Sequence, residues 1–148
     1  MKIVLASRNS GKLEEFSYLF KDTNFELVPV SEFSNEDIEE TGKSYEENAF
    51  IKAKFASDIS GLPALGDDSG LEVEALNGEP GIFSARYAGE KGNDNLNNEK
   101  LLEMLNLKKN KSAKFISILS FFHPKLKTPL FSYGELFGEI IGSPRGKG

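Results

Sequence analysis

The sequence contains no cysteine, and this absence removes several kinds of chemistry at once. A chain without cysteine has no disulfide, no thiolate nucleophile and no zinc–thiolate centre. No apolar run approaches the roughly 20 residues of a membrane span, and the first residues lack the pattern of a signal peptide. We therefore expect a cytoplasmic protein that does not contact a membrane.

The chain also lacks an excess of positive charge, with 18 Lys and Arg residues against 23 Asp and Glu residues and a net charge of -5. A protein that binds duplex nucleic acid normally carries a basic surface, so we expect no nucleic-acid partner. A small anionic ligand remains compatible with this charge. A few lysines, a helix N-terminus or a metal ion would compensate such a ligand locally.

The sequence has a single histidine, His123, which limits the catalysis that imidazole can provide. It precedes Pro124 at the predicted end of a strand, and no histidine lies near Ser69 in the sequence. A serine–histidine relay is therefore not expected. We interpret His123 as a strand-end residue and its neighbours Phe121 and Phe122 as core residues.

What the sequence does contain is an alternation of extended and helical patterns within 148 residues, a length that suits one domain with one core. Strands are predicted at residues 2–6, 25–30, 71–75, 114–122 and 130–141, and Asn77-Gly78 predicts a turn after the third strand. Helices are predicted at residues 11–20 and 45–60 and after Asp94, which would cap the last one. The last two strands should form an antiparallel pair. We predict one domain over residues 1–148, an α/β fold with a central mixed sheet flanked by helices.

The central helix carries the clearest local signals. Ser44 and Glu47 form an S-x-x-E capping box, and Gly61 ends the helix. The large apolar residues that share one predicted face are Ile51, Phe55 and Ile59. Asn48 and Lys52 lie one turn apart at the margin of this face, where the lysine ammonium group could extend to water or reach into a neighbouring cleft, and we expect the first of these.

A polar segment follows the first predicted strand and consists of Ser7, Arg8, Asn9, Ser10, Gly11 and Lys12. Its side chains are donors that suit phosphate oxygens, and a strand-to-helix turn directs backbone N–H groups at an anion. The segment is not a P-loop, because Ala6 stands where that motif needs glycine and Leu13 where it needs Ser or Thr. The alternative interpretation is a capped turn with a solvated lysine.

An acidic segment, Asp67-Asp68-Ser69-Gly70, follows a second short apolar run and reads as a loop. Two adjacent carboxylates repel each other unless a cation or a donor compensates them, and carboxylates are ligands that Mg²⁺ prefers. The pair indicates a metal or acid–base role, and a solvated turn is the alternative. Glu40 adds a carboxylate just before the central helix, where the helix dipole alone would favour it.

Further motifs recur in a fixed order with these two segments. The whole set is Ser7-x-Asn9-x-x-Lys12, Glu40-Thr41-Gly42, Glu47-Asn48-Ala49 with Lys52-Ala53, Asp67-Asp68-Ser69-Gly70-Leu71 and Pro80-Gly81-Ile82-Phe83-Ser84-Ala85-Arg86-Tyr87. Over essentially the whole chain this set resembles the inosine triphosphate pyrophosphatase family, also called Ham1-like or non-canonical purine NTP pyrophosphatases. The resemblance implies an ITPase-like (Maf/Ham1) fold and hydrolysis of ITP, dITP and XTP to the monophosphate and pyrophosphate. It also implies Mg²⁺ as cofactor and a homodimer.

The resemblance implies roles for individual residues as well. Those that would bind the substrate are Ser7, Arg8, Asn9, Ser10, Gly11, Lys12 and Ser69. Glu40 and Asp68 would bind the metal, and Asp68, Lys52 and Lys12 would be catalytic. Asp68 would take a proton from a metal-bound water that attacks the α-phosphorus, and the two lysines would stabilise the phosphate charge. Arg86 also lies in a family-like segment, and the resemblance leaves both the cleft and an interface open for it.

Residues 134–148 resemble the strand that leads to a Gly-Phe-Gly-Tyr-Asp segment in the family, and the sequence does not continue into that segment. We therefore expect the C-terminal elements that form much of the family's nucleobase pocket to be missing. We also expect Phe131, Leu136, Phe137 and Ile140 to be partly exposed. Two hypotheses stay open: a nucleotide pyrophosphatase, and a non-catalytic remnant that binds Mg-polyphosphate or a partner chain.

Overall fold

The computed structural model describes residues 1–89 and 91–146, and these residues form an α/β fold. The strands are β1 (Lys2–Leu5), β2 (Glu26–Pro29), β3 (Ala64–Val73), β4 (Ser112–Phe122) and β5 (Leu130–Glu139), and the helices are α1 (Ser10–Phe20), α2 (Tyr45–Ser60) and α3 (Asp94–Leu105). Short 3₁₀ helices lie at Val30–Glu32, Glu74–Leu76 and Gly81–Arg86. No helix in this described part of the chain has the length and apolarity that a membrane crossing requires.

The strands form one sheet in the order β2-β1-β3-β4-β5. Strand β1 pairs in parallel with both of its neighbours, so that Val4 lies opposite Val28 of β2 and Leu5 opposite Leu65 of β3. Strand β5 is the next strand after β4 in the chain. The N–H of Ile140, just after β5, donates to the carbonyl of Lys111, just before β4. This bond fits an antiparallel pair. The predicted α/β class with a mixed sheet is confirmed.

The chain divides into two compact units. The first contains Met1–Asp68 and Ile118–Tyr133, and the second contains Ser69–Ser117 and the residues that follow from Gly134. Strands β3, β4 and β5 contribute residues to both units. The single domain predicted over residues 1–148 stays a prediction.

Two apolar clusters build the first unit, because successive side chains of β1 point to opposite faces of the sheet. On one face Val4 and Ala6 pack with Val30, Ala56 and Ala64. On the other face Ile3 and Leu5 pack with Phe16 and Leu65. Helix α2 therefore covers the first face and helix α1 the second, which leaves β1 buried on both sides as parallel strands usually are.

The second unit has its own core, in which Val73 and Leu76 pack with Leu101 and Leu105. The turn predicted at Asn77-Gly78 is confirmed, since both residues have a positive φ, 54° and 88°. Strand β5 is exposed along its whole length. As expected, this leaves Phe131, Leu136 and Phe137 at 37%, 73% and 72% exposure, and Ile140 is half-buried against the core.

The predicted helix ends agree with the structure to within one residue. Ser44 Oγ accepts the N–H of Glu47 at 3.1 Å, while Glu47 Oε2 accepts the N–H of Lys43 at 2.7 Å, one residue before the N-cap. Gly61 ends α2 with φ 69°. The prediction that Asp94 caps α3 is wrong by one residue, because the Asn93 side chain accepts the N–H of Leu96 instead.

The loop predicted at the acidic segment is wrong. Strand β3 runs without a break from Ala64 to Val73 and includes all four residues of that segment. It lies between β1 and β4 in the sheet, and its first two residues, Ala64 and Leu65, lie opposite Val4 and Leu5 of β1. Asp67 and Asp68 are 3% and 5% exposed, which also excludes a solvated turn.

Candidate active site

Helix α2 packs directly onto strand β3 through a glycine. A Cβ atom on Gly66 would lie 2.1 Å from the carbonyl oxygen of Ala49 and 2.6 Å from the backbone nitrogen of Ala53. Only glycine leaves room for a helix backbone at this distance. Ala49 and Ala53 are themselves fully buried. The contact therefore brings the side chains that flank these alanines close to the residues that follow Gly66.

The face that α2 presents to the sheet differs from the predicted one. The buried residues of the helix are Tyr45, Asn48, Ala49, Lys52, Ala53, Ala56 and Ser57. Ile51 and Phe55 are only half-buried and Ile59 is 39% exposed, because the small alanines occupy the close contact and the larger side chains lie beside it. The expectation that Lys52 extends to water is also wrong, since the residue is 8% exposed.

Lys52 joins two carboxylates. Its Nζ lies 2.9 Å from Glu40 Oε1 and 3.6 Å from Asp68 Oδ1. Asn48 Nδ2 donates to Asp68 Oδ2 at 3.1 Å, so each oxygen of this carboxylate faces a donor. The Lys52, Glu40 and Asp68 side chains are 10%, 11% and 8% exposed. Buried charges need such pairing and hydrogen bonding, and this network provides it.

Asp67, the neighbour of Asp68 in β3, is bound by the other predicted lysine. The Lys12 ammonium group contacts Asp67 Oδ2, and the Lys12 side chain is 31% exposed. Adjacent residues of a strand point to opposite faces, so the two acids meet two lysines from different helices. The solvated lysine that was the alternative for this segment is therefore not what the structure has.

The polar segment after β1 forms a capped helix start. Ser7 Oγ accepts the N–H of Asn9 at 3.2 Å, and Asn9 Oδ1 accepts the N–H of Lys12 at 3.1 Å. Asn9 is the N-cap of α1, and Ser10 and Gly11 lie in its exposed first turn. Arg8 turns its guanidinium group to the backbone carbonyls of residues 34 and 36. The substrate-binding roles assigned to this segment stay predictions.

The topology of the first unit places these residues at a switch point of the sheet. From β1 the chain passes through α1 to β2 on one side, and β3 lies on the other side of β1. The N–H of Ala6 donates to the carbonyl of Leu65 at 2.8 Å, so the segment after β1 starts beside Gly66 and Asp67. Open α/β sheets bind ligands at the carboxyl ends of parallel strands where the strand order reverses. The two lysines and three carboxylates therefore lie where the fold favours a ligand.

Two other predicted residues belong to the second unit. Ser69 is half-buried in β3 directly after Asp68. The Arg86 guanidinium carbon lies 5.2 Å from the centre of the Phe83 ring, a cation–π arrangement. The role predicted for Ser69 in ligand binding stays a prediction.

The carboxylates fit one particular way of binding a metal. Within residues 1–89 and 91–146, no three His, Cys, Asp or Glu side chains are close enough to form a metal centre. Mg²⁺ commonly binds one or two carboxylates and takes its other ligands from water and substrate phosphates. Glu40 and Asp68, which share Lys52, suit that kind of shared site better than a cage made by the protein alone.

Two residues that build this cluster have no role predicted from the sequence. Asn48 is fully buried and holds Asp68, and Gly66 permits the contact between helix and strand. A polar residue among alanines at a spacing of three or four is the signal that would have identified Asn48. Nothing local marks Gly66, because its requirement comes from a backbone that is distant in sequence.

The sequence of this chain is similar to those of known proteins. The sequence model of the Ham1 family matches residues 3–148. A dITP/XTP pyrophosphatase of Haemophilus influenzae is 47% identical, with 99% of this chain and 76% of the relative aligned. A dITP/XTP pyrophosphatase of Coxiella burnetii is 45% identical over 99% of this chain and 75% of its own length. The chain thus spans about three quarters of these relatives.

Solved structures agree. A HAM1 protein from Coxiella burnetii superposes with a TM-score of 0.91 at 45% identity and covers 100% of this chain and 77% of that one. The Ham1 protein of Staphylococcus aureus gives a TM-score of 0.87 at 41% identity, with 100% of this chain and 76% of that chain covered.

Proposed function

The chain belongs to the Ham1 family, and from this premise we propose that it hydrolyses non-canonical purine nucleoside triphosphates such as dITP, XTP and ITP to the monophosphate and pyrophosphate. The observation that carries the proposal is the cluster at the switch point, where Lys12 meets Asp67 and Lys52 meets both Glu40 and Asp68. Its relatives named dITP/XTP pyrophosphatase support the choice of nucleotide.

The two lysines suit a triphosphate because each ammonium group is already directed by a carboxylate. Lys12 belongs to the first turn of α1, where backbone N–H groups and the helix dipole also favour an anion. When a phosphate oxygen displaces a carboxylate from a lysine, the ammonium group still makes a charge-assisted hydrogen bond, now to the phosphate. The lysines would then stabilise the charge that develops on the phosphate oxygens as the reaction proceeds.

Asp68 is the proposed general base. Asn48 and Lys52 fix its two oxygens, so the carboxylate is oriented before substrate arrives. Glu40 and Asp68 would hold Mg²⁺, which lowers the pKa of a bound water and neutralises phosphate charge. Asp68 accepts the proton of the attacking water, the water oxygen bonds to the α-phosphorus, and the bond from the α-phosphorus to the bridging oxygen breaks. Pyrophosphate leaves with the electrons of that bond.

The proposal also includes a homodimer and a cytoplasmic location. The resemblance of the motifs to the inosine triphosphate pyrophosphatase family supports both, and a composition without cysteine supports the location.

The test is pyrophosphate release from dITP, XTP and ITP, compared with dATP and dGTP, with and without Mg²⁺. We expect Mg²⁺-dependent release from the first group and little from the second. Asp68→Asn should lower turnover at least about 100-fold, the contribution typical of a general base. Circular dichroism checks that this variant is folded.

Asp58→Asn is the matched control, because it makes the same substitution at an exposed carboxylate. Asp58 pairs with Lys54 on α2, and its side chain is 55% exposed. It should turn over like the wild type. If no nucleotide yields pyrophosphate and Mg²⁺-dependent nucleotide binding persists, the chain is the non-catalytic remnant instead.

A further inference from the structure

Arg8 lies within the polar segment after β1, yet its side chain binds backbone rather than any residue of the lysine–carboxylate cluster. Its Nη2 donates to the carbonyl of Ser34 at 2.8 Å and also to the carbonyl of Glu36. Its Nε lies 3.9 Å from Asp37 Oδ1, and that carboxylate is 98% exposed. The guanidinium group thus ties the segment after β1 to a distant stretch of chain in the same unit.

That stretch, residues 34–42, has no regular secondary structure and contains Glu40. Its position therefore depends on side-chain attachments instead of a backbone ladder. At its far end the N–H of Gly42 donates to Asn48 Oδ1 at 2.8 Å, and in its middle Ile38 packs against the cluster around Val30. At its start the N–H of Ser34 donates to the carbonyl of Val30 at 3.1 Å, and Arg8 adds the side-chain attachment of its first half.

We propose that Arg8 is a positioning residue for Glu40. By binding two carbonyls four and six residues before Glu40, Arg8 sets the path along which the chain reaches the Glu40–Lys52 contact of 2.9 Å. A planar guanidinium group reaches two acceptors at once, which a lysine ammonium does less well. The role given to Glu40 as a metal ligand rests on the proposed function, whereas the attachment of residues 34–42 does not.

The first experiment measures this attachment without activity. Hydrogen exchange of the full chain, followed by mass spectrometry, should show residues 34–42 exchanging at least about tenfold faster in Arg8→Ala, the lower end of what loss of a charge-assisted bond produces. Exchange in α2 should stay unchanged. Arg8→Lys keeps the positive charge and loses the planar guanidinium group, so it should also accelerate exchange in residues 34–42. It replaces Arg8→Ala in this test if the alanine variant does not fold.

The second experiment is a double-mutant cycle on pyrophosphate release. Arg8→Ala should lower kcat about 10- to 100-fold in the wild-type background, as expected for a small displacement of a catalytic group. In a Glu40→Gln background the same change should cost less than about twofold, because the group that Arg8 positions is already disabled. Asp37→Ala is the control and should leave kcat within about twofold, since its ion pair is exposed.

Unchanged exchange of residues 34–42 in both Arg8 variants overturns the proposal. So does an equal loss of kcat in the two backgrounds, which would mean that Arg8 acts on the substrate directly. If the wild type hydrolyses no nucleotide, the proposed function fails while the exchange measurement still decides the positioning role.

Discussion

Replacing Gly66 with alanine tests the packing that assembles the site. The added Cβ would lie 2.1 Å from Ala49 O and 2.6 Å from Ala53 N, and both obstacles are backbone atoms that no rotamer change can move. Non-bonded heavy atoms prefer about 3.5 Å, so α2 must withdraw from β3 by about 1 Å. Overpacking of this kind costs about 3 kcal/mol. The same displacement separates Lys52 from Asp68 and should lower turnover about 100-fold.

Urea unfolding followed by circular dichroism measures this cost, because the chain has no tryptophan for fluorescence. Gly138→Ala is the matched control, since a Cβ at Gly138 meets nothing within 4 Å. It should change stability by no more than about 0.5 kcal/mol. If Gly66→Ala unfolds at the same urea concentration as this control and keeps its turnover, the close contact between helix and strand is refuted.

Two further predictions concern charge and pH. Lys52→Met removes the ammonium group that contacts Glu40 and Asp68, so it should destabilise the fold by about 3 kcal/mol. In a thermal melt, Mg²⁺ should restore part of this lost stability. A variant as stable as the wild type would contradict the prediction. Burial, and secondarily the Glu79 carboxylate, raise the pKa of Tyr87 above 10.0. The folded state therefore holds this proton more tightly, so stability is intact below pH 10 and falls as pH rises through the folded-state pKa. Unfolding measured on both sides of this pH should show a smaller alkaline loss for Tyr87→Phe, and an equal loss would refute it.

Local chemistry made much of the fold predictable from the sequence. The caps at Ser44 and Gly61 and the turn at Asn77-Gly78 depend on residues within a few positions of each other, and the structure has all three. Strand β3 was not predictable in the same way. Asp, Ser and Gly are poor strand formers, and Asp67 and Asp68 remain in a buried strand because lysines from two distant helices compensate them.

The composition of the site was easier to predict than its geometry. The residue types pointed to Lys12 and the Asp67-Asp68 pair, and the family resemblance added Lys52 and Glu40. The structure brings Lys12 to Asp67 and Lys52 to Glu40 and Asp68. The predicted buried face of α2 is wrong because its large apolar residues do not mark the side that packs on the sheet. Gly66 on the opposing strand lets the helix backbone approach closely, so the smallest side chains of α2 face the strand.

The most direct measurement of the central claim is hydrolysis of dITP in ¹⁸O-labelled water with Mg²⁺. If Asp68 activates water for attack on the α-phosphorus, the label appears in the monophosphate and the released pyrophosphate carries none. Label in pyrophosphate, or release of orthophosphate as the first product, would contradict the assignment.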